Sequence, residues 1–366
     1  NNYVGGHSNT IQAIDDENNP IHIDSGFIVF NKKNYKHFER FLRKLNVCVI
    51  KSDMSFSHQN ISDKIIYNTT PSGFFAEFRS FFLFKKWSFF LSIIFTLNKL
   101  KKSKKYRNID TPIYETLQQL NCPEKVIHNY FMPMASAIWS SNIANAKNIP
   151  TSTFINFFDN HGLLNIFFRP QWLTIKNGSK NYINKFLENF KGQINLNTEV
   201  TSVIDNSHDI QVKFQNGKTE RFDYAVIATH SYQASKLVQN ISSEKKLILS
   251  EYPYTFNKVI LHKDQTFMPQ KSKLWSSWNS VISTSDKDQV QVTYYMNKLQ
   301  NLKSKTNFFV TLNPHTLPEK NLTIYETEYA HPVLNHSEQQ NIENFRLLNQ
   351  NDRILYCGAY LQNGFH

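Results

Sequence analysis

Glycine and cysteine are both scarce in this 366-residue sequence, and each scarcity limits what the chain can be. Because there are only 10 glycines, the pair Gly5-Gly6 in NNYVGGHSNT is notable. Glycine marks backbone that needs a positive φ or the close approach of another group. The three cysteines, Cys48, Cys122 and Cys357, are an odd number without CxxC spacing. They predict a reducing compartment and buried structural thiols rather than a disulfide framework.

Patterns that would indicate a metal site, a nucleic-acid partner or a membrane span are also missing. The 13 histidines form no HExxH motif and no Cys/His cluster, so no metal site is predicted. No zinc-finger, helix-turn-helix or RNP-like pattern accompanies the formal charge of +12. We attribute that charge, with the many Asn, Lys, Ile and Phe residues, to AT-rich coding drift. Without a signal peptide or a run of about 18 apolar residues, the sequence predicts a cytoplasmic location and no nucleic-acid partner.

Enough apolar residues are present for a large core. Hydrophobic residues make up 40% of the chain and aromatic residues 14%, which excludes a disordered protein. At 366 residues the chain is too long for one small core. One large bilobed domain or two intermingled domains are expected.

One segment, residues 74–105, combines aromatic residues with paired lysines. Its uninterrupted apolar part runs roughly from Trp87 to Leu97 and is too short to span a bilayer. A core helix is the simpler interpretation. The alternative is a helix at a membrane surface, through which a lipid-like substrate enters, because the basic run Lys101, Lys102, Lys104 and Lys105 follows directly.

Local patterns predict helices and short strands in the first half of the chain. PIHIDSGFIVFN predicts a strand pair, and YKHFERFLRKLNV has the apolar spacing of an amphipathic helix. From Thr111 to about Gly162 the sequence predicts helices, with Thr111 capping one, Pro123 starting another and TSTFINFFDN forming a third.

The second half of the chain changes to strands. A hairpin is predicted with its turn at Asn216-Gly217, and YAVIAT is a continuous apolar run typical of a buried strand. From Tyr252 to His331 alternating segments predict a second, antiparallel sheet.

Ten stretches spread over the whole chain carry a resemblance to a known family. They are GGHSNT, DSGFIVFN, SDMSFS, MPMASAIWS, FFDNHGLL, VIATHSYQA, LWSSWN, TYYMNKLQ, VTLNP and YCGAYLQNGFH. Together they resemble a family of NAD/FAD-binding proteins within the flavin-containing amine oxidase and phytoene desaturase superfamily. The resemblance implies an α/β fold with two domains, in which a discontinuous Rossmann-like FAD domain is joined to a substrate domain of antiparallel sheet and helices.

The resemblance also implies domain boundaries. The FAD-binding domain is expected at residues 1–34, 171–240 and 350–366, and the substrate-binding domain at residues 35–170 and 241–349. The family's first βαβ unit with its GxGxxG motif, and an acidic-Gly segment beyond GFH, are not in the sequence. A fragment of a longer protein and an eroded gene product that holds FAD weakly both remain open.

The cofactor that the resemblance implies is FAD, and the residues expected beside it fall into groups. The groups are Gly5, Gly6, His7, Ser8 and Thr10 at the diphosphate; Asp24, Ser25, Gly26 and Phe27 at the isoalloxazine; Val200 at the adenine; Ala228, Thr229 and His230 at the end of a strand; and Gly358, Gly364 and Phe365 in a closing flavin motif. Each group has an ordinary structural alternative as a polar turn, a strand end or a core residue.

Six further residues in family-like blocks are expected to line a substrate cavity, with core packing as the alternative. They are Trp139, Asn160, His161, Trp172, Trp278 and Tyr294. No catalytic residue is predicted, because a flavin carries the chemistry and the protein positions it.

The function expected is that of an FAD-dependent oxidoreductase that transfers a hydride from a carbon of a small, apolar or lipid-like substrate to the flavin. A flavin-dependent isomerase, a non-catalytic remnant of the flavin fold and a membrane-surface binding protein are the alternatives. The oligomeric state is left open.

Overall fold

The computed structural model describes residues 2–70, 84–165, 170–333, 335–350 and 352–361. Its strands are β1 (Thr10–Ile14), β2 (Pro20–Asp24), β3 (Val29–Asn31), β4 (Val49–Ser52), β5 (Phe56–Asn60), β6 (Ile65–Asn68), β7 (Trp172–Ile175), β8 (Val200–Asp205), β9 (Ile210–Phe214), β10 (Thr219–Phe222), β11 (Ala225–Ile227), β12 (Tyr254–His262), β13 (Trp278–Ile282), β14 (Val290–Tyr295), β15 (Phe309–Leu312), β16 (Thr323–Pro332) and β17 (Ile354–Tyr356).

Helices alternate with these strands. They are α1 (Lys36–Lys44), α2 (Phe84–Lys102), α3 (Ile113–Gln119), α4 (Glu124–Val126), α5 (Met132–Trp139), α6 (Ile143–Lys147), α7 (Thr151–Asn160), α8 (Lys180–Asn189), α9 (Ser231–Leu237), α10 (Ser243–Ser250), α11 (Met296–Leu299) and α12 (Glu338–Asn349). A π-helical turn at Ile127–Phe131 connects α4 with α5, and a 3₁₀ turn at Lys104–Asn108 follows α2.

Packing divides the chain into two compact units. Unit 1 comprises Asn1–Val4, Gly192–Thr255 and His331–His366, and unit 2 comprises Gly5–Lys191 and Phe256–Ala330. The domain boundaries predicted from the sequence separate FAD-binding from substrate-binding residues. Packing does not test that separation, so these boundaries stay a prediction.

The main sheet of unit 2 has the strand order β16-β12-β15-β14-β13-β5-β6. The sheet predicted between Tyr252 and His331 is therefore present. It is mixed and not purely antiparallel, because β5 runs parallel to β13, with Phe56 opposite Trp278. β5 lies more than 200 residues before β13, and no local pattern indicates that such distant strands pair.

Two smaller sheets of unit 2 form around the two strands predicted in PIHIDSGFIVFN. Both strands exist, but they do not pair with each other: β2 pairs with β1, and β3 pairs with β7 in the order β3-β7-β4. The predicted amphipathic helix is α1, which contributes the buried Leu42 to a core cluster with Phe30, Leu173 and Ile175.

The helical region before residue 162 confirms two of three predicted helix features. TSTFINFFDN is helix α7, and Pro123 is the N-cap residue of α4. The predicted cap at Thr111 is wrong, because α3 begins at Ile113 with Pro112 at its N-cap. The backbone carbonyl of Thr111 instead accepts the backbone N–H of Thr151, at 2.9 Å.

Unit 1 contains a three-stranded sheet, a parallel strand pair and helices. The predicted hairpin is confirmed: β9 and β10 are antiparallel, and Gly217 in the turn has φ +81°. β11 pairs in parallel with β17. The prediction of a fully buried strand there is wrong, since Ile227 is buried but Val226 is 60% exposed. Alternate side chains of a strand point to opposite faces, and only one face of β11 packs on the core of unit 1.

The lysine-rich segment is helical in its described part, α2, whereas residues 74–83 lie outside the described residues. No helix in the described part of the chain is long and apolar enough to cross a membrane. The expectation of buried thiols holds for Cys122 only, since Cys48 and Cys357 are exposed loop residues.

Candidate functional site

The glycine pair forms a tight turn at the start of unit 2. The N–H of Ser8 donates to the carbonyl of Gly5, at 2.9 Å. Gly5 has φ +126° and Gly6 has φ +54°, both in the region that favours glycine. A Cβ on Gly5 would lie 2.9 Å from the Ser8 carbonyl oxygen, whereas one on Gly6 would meet no described atom within 4 Å. Gly5 is therefore needed by the turn itself.

This turn lies directly against the segment after β2. The N–H of Ser25 donates to the carbonyl of Asn9 at 2.9 Å, and the N–H of Phe27 donates to the carbonyl of His7 at 2.7 Å. A Cβ on Gly26 would lie 2.2 Å from the carbonyl oxygen of His7. Only glycine fits there, so the structure brings two of the predicted groups together.

Asp24 holds these two segments to the rest of unit 2. Its fully buried carboxylate accepts from the Thr10 hydroxyl at 2.5 Å, from the N–H and hydroxyl of Ser179 at 2.8 to 3.0 Å, and from the Gln300 amide at 2.9 Å. Burial raises the pKa of Asp24 to about 6, while the Thr10 and Ser179 hydrogen bonds favour the charged form. The carboxylate therefore faces into the protein and fixes the position of the loop.

Three tyrosines complete the network around the loop. The Asn9 amide donates to the hydroxyls of Tyr325 and Tyr329 at 3.2 and 3.1 Å, and Tyr329 is also hydrogen bonded to Ser25. The hydroxyl of Tyr182 is hydrogen bonded to Ser8 at 2.5 Å. The sequence analysis predicted neither these tyrosines nor the Asp24 partners Ser179 and Gln300. Among all of them, only the Gly178-Ser179 pair directly before α8 carries a local sequence signal.

In unit 1 the second set of predicted residues meets at one sheet edge. Ala228, Thr229 and His230 follow β11, and Gly358 follows β17. Because the two strands are parallel, their carboxyl ends lie at the same edge, where Cys357 N–H donates to Ile227 O at 3.1 Å.

Local packing explains three of the unit 1 residues without a ligand. A Cβ on Gly358 would lie 2.5 Å from the ring of Tyr360. His230 caps helix α9 together with Gln233, and burial lowers the pKa of His230. Val200 begins β8 and packs against the core of unit 1. Gly364 and Phe365 lie outside the described residues.

These arrangements fit a flavin dinucleotide. Gly6 has a positive φ, as glycine has where another group comes close to backbone. The carboxyl ends of parallel strands are where open α/β sheets bind ligands. In unit 2, the residues with this geometry are the loop at 5–10 and the segment at 24–27. In unit 1, taken by itself, they are the segments that follow β11 and β17.

Three of the predicted cavity residues are joined in unit 2 by Phe157. The His161 ring stacks on the Phe157 ring, with centroids 3.8 Å apart, and Trp139 lies 4.9 Å from the same ring. The Trp172 ring also stacks on His161, with centroids 5.4 Å apart. The sequence gives no signal that singles out Phe157 from the other phenylalanines of α7.

His161 is neutral at pH 7. Its Nδ1 lies 2.8 Å from the carbonyl oxygen of Phe157, so we assign the ring proton to Nδ1. Burial lowers the pKa of His161 to about 4. Its Nε2 and the indole N–H of Trp139 are buried and have no hydrogen-bond partner among the described residues.

The other three predicted cavity residues are placed differently. Trp278 and Tyr294 lie opposite each other on β13 and β14, with ring centroids 4.8 Å apart. Burial raises the pKa of Tyr294, and Ser140, the residue after α5, opposes that rise. Asn160 is exposed at the end of α7, where its carbonyl accepts from the Asn34 amide at 3.1 Å.

The fold has solved relatives of low sequence identity. A CLA-producing fatty acid isomerase from P. acnes has a TM-score of 0.68 and 11% identity over 99% of this chain and 86% of its own. Cyclohexylamine oxidase from Brevibacterium oxydans has a TM-score of 0.64 and 12% identity over 100% of this chain and 88% of its own. A putrescine oxidase bound to putrescine has a TM-score of 0.66 and 10% identity over 99% of this chain and 89% of its own.

At these identities the structural likeness shows the fold alone, and no curated protein matches the sequence. The family model described as flavin containing amine oxidoreductase matches residues 1–305. The predicted family, fold and FAD cofactor are thereby confirmed. The chain belongs to the flavin-containing amine oxidoreductases and is an FAD-dependent oxidoreductase.

Proposed function

We propose that this oxidoreductase transfers a hydride from a carbon atom of an apolar or lipid-like small molecule to its flavin. FAD supplies the hydride acceptor when it is bound. The residues of the chain then have to bind the substrate, orient the reacting carbon and exclude water. The observation that carries the choice of substrate class is the uncharged aromatic cluster around Phe157.

This cluster offers apolar surface and no negative charge. It consists of Phe157, Trp139, His161 and Trp172. Among the described residues, no carboxylate forms a hydrogen bond or an ion pair with these side chains, and His161 is neutral at pH 7 because of its low pKa. Burial against such walls contributes about 25 cal/mol per Å² of apolar substrate surface.

A substrate ammonium group is the competing ligand class. Burying it without an anion would cost several kcal/mol or more, whereas a cation–π contact with tryptophan contributes about 2 kcal/mol. The balance favours an uncharged, apolar portion of the substrate at this cluster. Among the described residues, the buried indole N–H of Trp139 and Nε2 of His161 have no hydrogen-bond partner, so each would bind a polar group of that substrate.

We propose the predicted FAD contacts as they stand. In unit 2 they are the loop residues Gly5, Gly6, His7, Ser8 and Thr10 with Asp24, Ser25, Gly26 and Phe27. In unit 1 they are Val200, Ala228, Thr229, His230 and Gly358. The positive φ of Gly6, in a turn that lies against the segment after β2, supports a contact through backbone. Asp24 would act by positioning, since its carboxylate is occupied by internal hydrogen bonds.

The test is anaerobic reduction of the FAD-loaded full chain. Its readout is the absorbance of oxidised flavin at about 450 nm. The probes are a long-chain unsaturated fatty acid, cyclohexylamine and putrescine. We expect bleaching with the fatty acid and none with the two amines. Bleaching by an amine alone would refute the apolar substrate. Double-bond migration in the fatty acid without net bleaching would assign an isomerase instead.

A matched pair of variants tests the cluster itself. Phe157→Leu removes the ring that His161 and Trp139 contact, while Phe30→Leu makes the same change in the core cluster around Leu42. We expect Phe157→Leu to raise the fatty acid concentration needed for half-maximal bleaching about tenfold, an effect of about 1.4 kcal/mol. Phe30→Leu should leave it unchanged at equal FAD content. Equal effects of the two variants would remove the cluster from the substrate site.

A further inference from the structure

Helix α2 carries an apolar face on each of two opposite sides. Ile93, Leu97 and Leu100 point into the protein and are 4%, 3% and 0% exposed. Leu91 and Phe95 lie one turn apart on the opposite side and are 56% and 61% exposed. At 100° per residue these two sets are about half a turn from each other. The core therefore accounts for one face only, and the simple core-helix interpretation is incomplete.

The exposed face of α2 ends in a group of lysines. Lys101, Lys102 and Lys105 are exposed, and Lys99 Nζ lies 4.3 Å above the ring of Phe95. Lys101 donates to the side-chain oxygen of Asn165 at 2.7 Å, and Lys99 donates to the carbonyl of Leu120 at 2.9 Å. Among the described residues, none of these four lysines forms an ion pair.

We propose that the outer face of α2, with Leu91, Phe95, Lys101 and Lys102, binds an anionic lipid surface together with Lys105 in the 3₁₀ turn that follows. Exposed aliphatic and aromatic side chains beside several lysines are the composition of helices that lie in the plane of a membrane interface. Phe95 and Leu91 would enter the boundary between headgroups and acyl chains, and the lysines would contact the headgroups with their long side chains. The formal charge of +12 adds long-range attraction to an anionic surface.

The mode of attachment is peripheral. The contact is limited to one side of α2, because Ile93, Leu97 and Leu100 on the other side are buried. The inference is independent of the substrate, because the outer face of α2 is opposite the side that packs on the protein. With the same helix face, an enzyme that acts on a water-soluble substrate would also bind an anionic lipid surface.

Co-sedimentation of the full chain with vesicles tests the proposal. Vesicles of phosphatidylcholine with phosphatidylglycerol are compared with pure phosphatidylcholine, at low and at raised salt. We expect binding to the anionic vesicles that weakens with salt and little binding to neutral ones. Changing Lys101, Lys102 and Lys105 to Gln should weaken binding on the order of 100-fold. Changing the exposed Lys191, Lys213 and Lys246 to Gln is the matched control and should weaken it far less.

The apolar part of the contact is tested by fluorescence. In a Phe95→Trp variant, added anionic vesicles should shift the extra tryptophan emission to shorter wavelength. A Leu317→Trp variant, at a position 64% exposed elsewhere in unit 2, should show no shift. Absence of binding, binding equal for neutral and anionic vesicles, equal losses in the two lysine variants, or a shift at 317 and not at 95 would each overturn the proposal. Binding that needs another protein in place of lipid would also overturn it.

Discussion

The backbone N–H of Ser179 donates to both carboxylate oxygens of Asp24, at 2.8 and 3.0 Å. The hydroxyl of Thr10 donates to the same carboxylate and accepts from the N–H of Lys180, at 2.9 Å. One buried acid therefore joins the loop after Gly6, the end of β2 and the start of α8. Because the position of the loop depends on these bonds, our proposal assigns Asp24 a positioning role in FAD binding that needs no contact with the cofactor.

Replacing Asp24 with Asn should destabilise unit 2. The amide nitrogen would face donors on Ser179 or Gln300, and a buried donor without an acceptor costs about 1 to 3 kcal/mol. Urea denaturation at pH 7 measures this loss as a lower free energy of unfolding. Asp209→Asn is the control, since Asp209 in unit 1 pairs with Arg221, whose side chain is 65% exposed, and surface pairs contribute less than about 1 kcal/mol. An Asp24→Asn loss no larger than the control loss would show that the network is not needed.

The Asp24 carboxylate should also make the free energy of unfolding depend on pH, and its pKa gives the sign of that dependence. Its pKa is about 6 in the folded chain against the ordinary 3.8, so the folded state binds the proton more tightly than the unfolded state. The contribution is fully present below pH 3.8 and is lost as the pH rises through 6. The difference in the free energy of unfolding between the wild type and Asp24→Asn should therefore be about 1.4 kcal/mol larger at pH 5 than at pH 8. A difference that is constant or smaller at pH 5 would contradict this.

His161 should change the stability with pH in the direction opposite to Asp24. Burial lowers its pKa from 6.5 to about 4, so the folded state binds fewer protons than the unfolded state and stability falls as the pH drops from 6.5 toward 4. His161→Phe keeps an aromatic ring between Phe157 and Trp172 and removes the titration. Relative to this variant, the wild type should lose about 2 kcal/mol of unfolding free energy between pH 8 and pH 5. Parallel pH profiles of the two proteins would show that His161 does not titrate differently in the fold.

These relationships show which parts of the molecule local sequence patterns predict. The helix TSTFINFFDN and the hairpin at Asn216-Gly217 were predictable because their signals lie within about ten residues. The start of α3 was not, because both Thr111 and Pro112 are acceptable near a helix N-terminus and the side chain of Thr111 bonds Thr116 instead.

Contacts between distant residues explain most of what the sequence did not predict. Asp24 was singled out, but its partners Ser179 and Gln300 lie 155 and 276 residues away and have ordinary side chains. Trp139, His161 and Trp172 were expected at one cavity, yet the ring that joins them, Phe157, is one of 30 phenylalanines. Family resemblance identified positions, whereas the physical reason for each position required the folded chain.

Gly6 and Gly217 provide the clearest test of the flavin loop, because both are turn glycines with a positive φ but lie in different units. Both have positive φ, +54° and +81°, and a Cβ on either would meet no described atom within 4 Å. Valine at either position should cost about 1 to 2 kcal/mol of folding free energy, since β-branched residues resist a left-handed backbone. Only at Gly6 would the new side chain also enter the space proposed for the FAD diphosphate. Gly6→Val should therefore weaken FAD binding at least tenfold beyond Gly217→Val in a fluorescence titration, while urea denaturation finds the two equally stable without FAD. Equal FAD affinities in the two variants would make Gly6 a turn residue only.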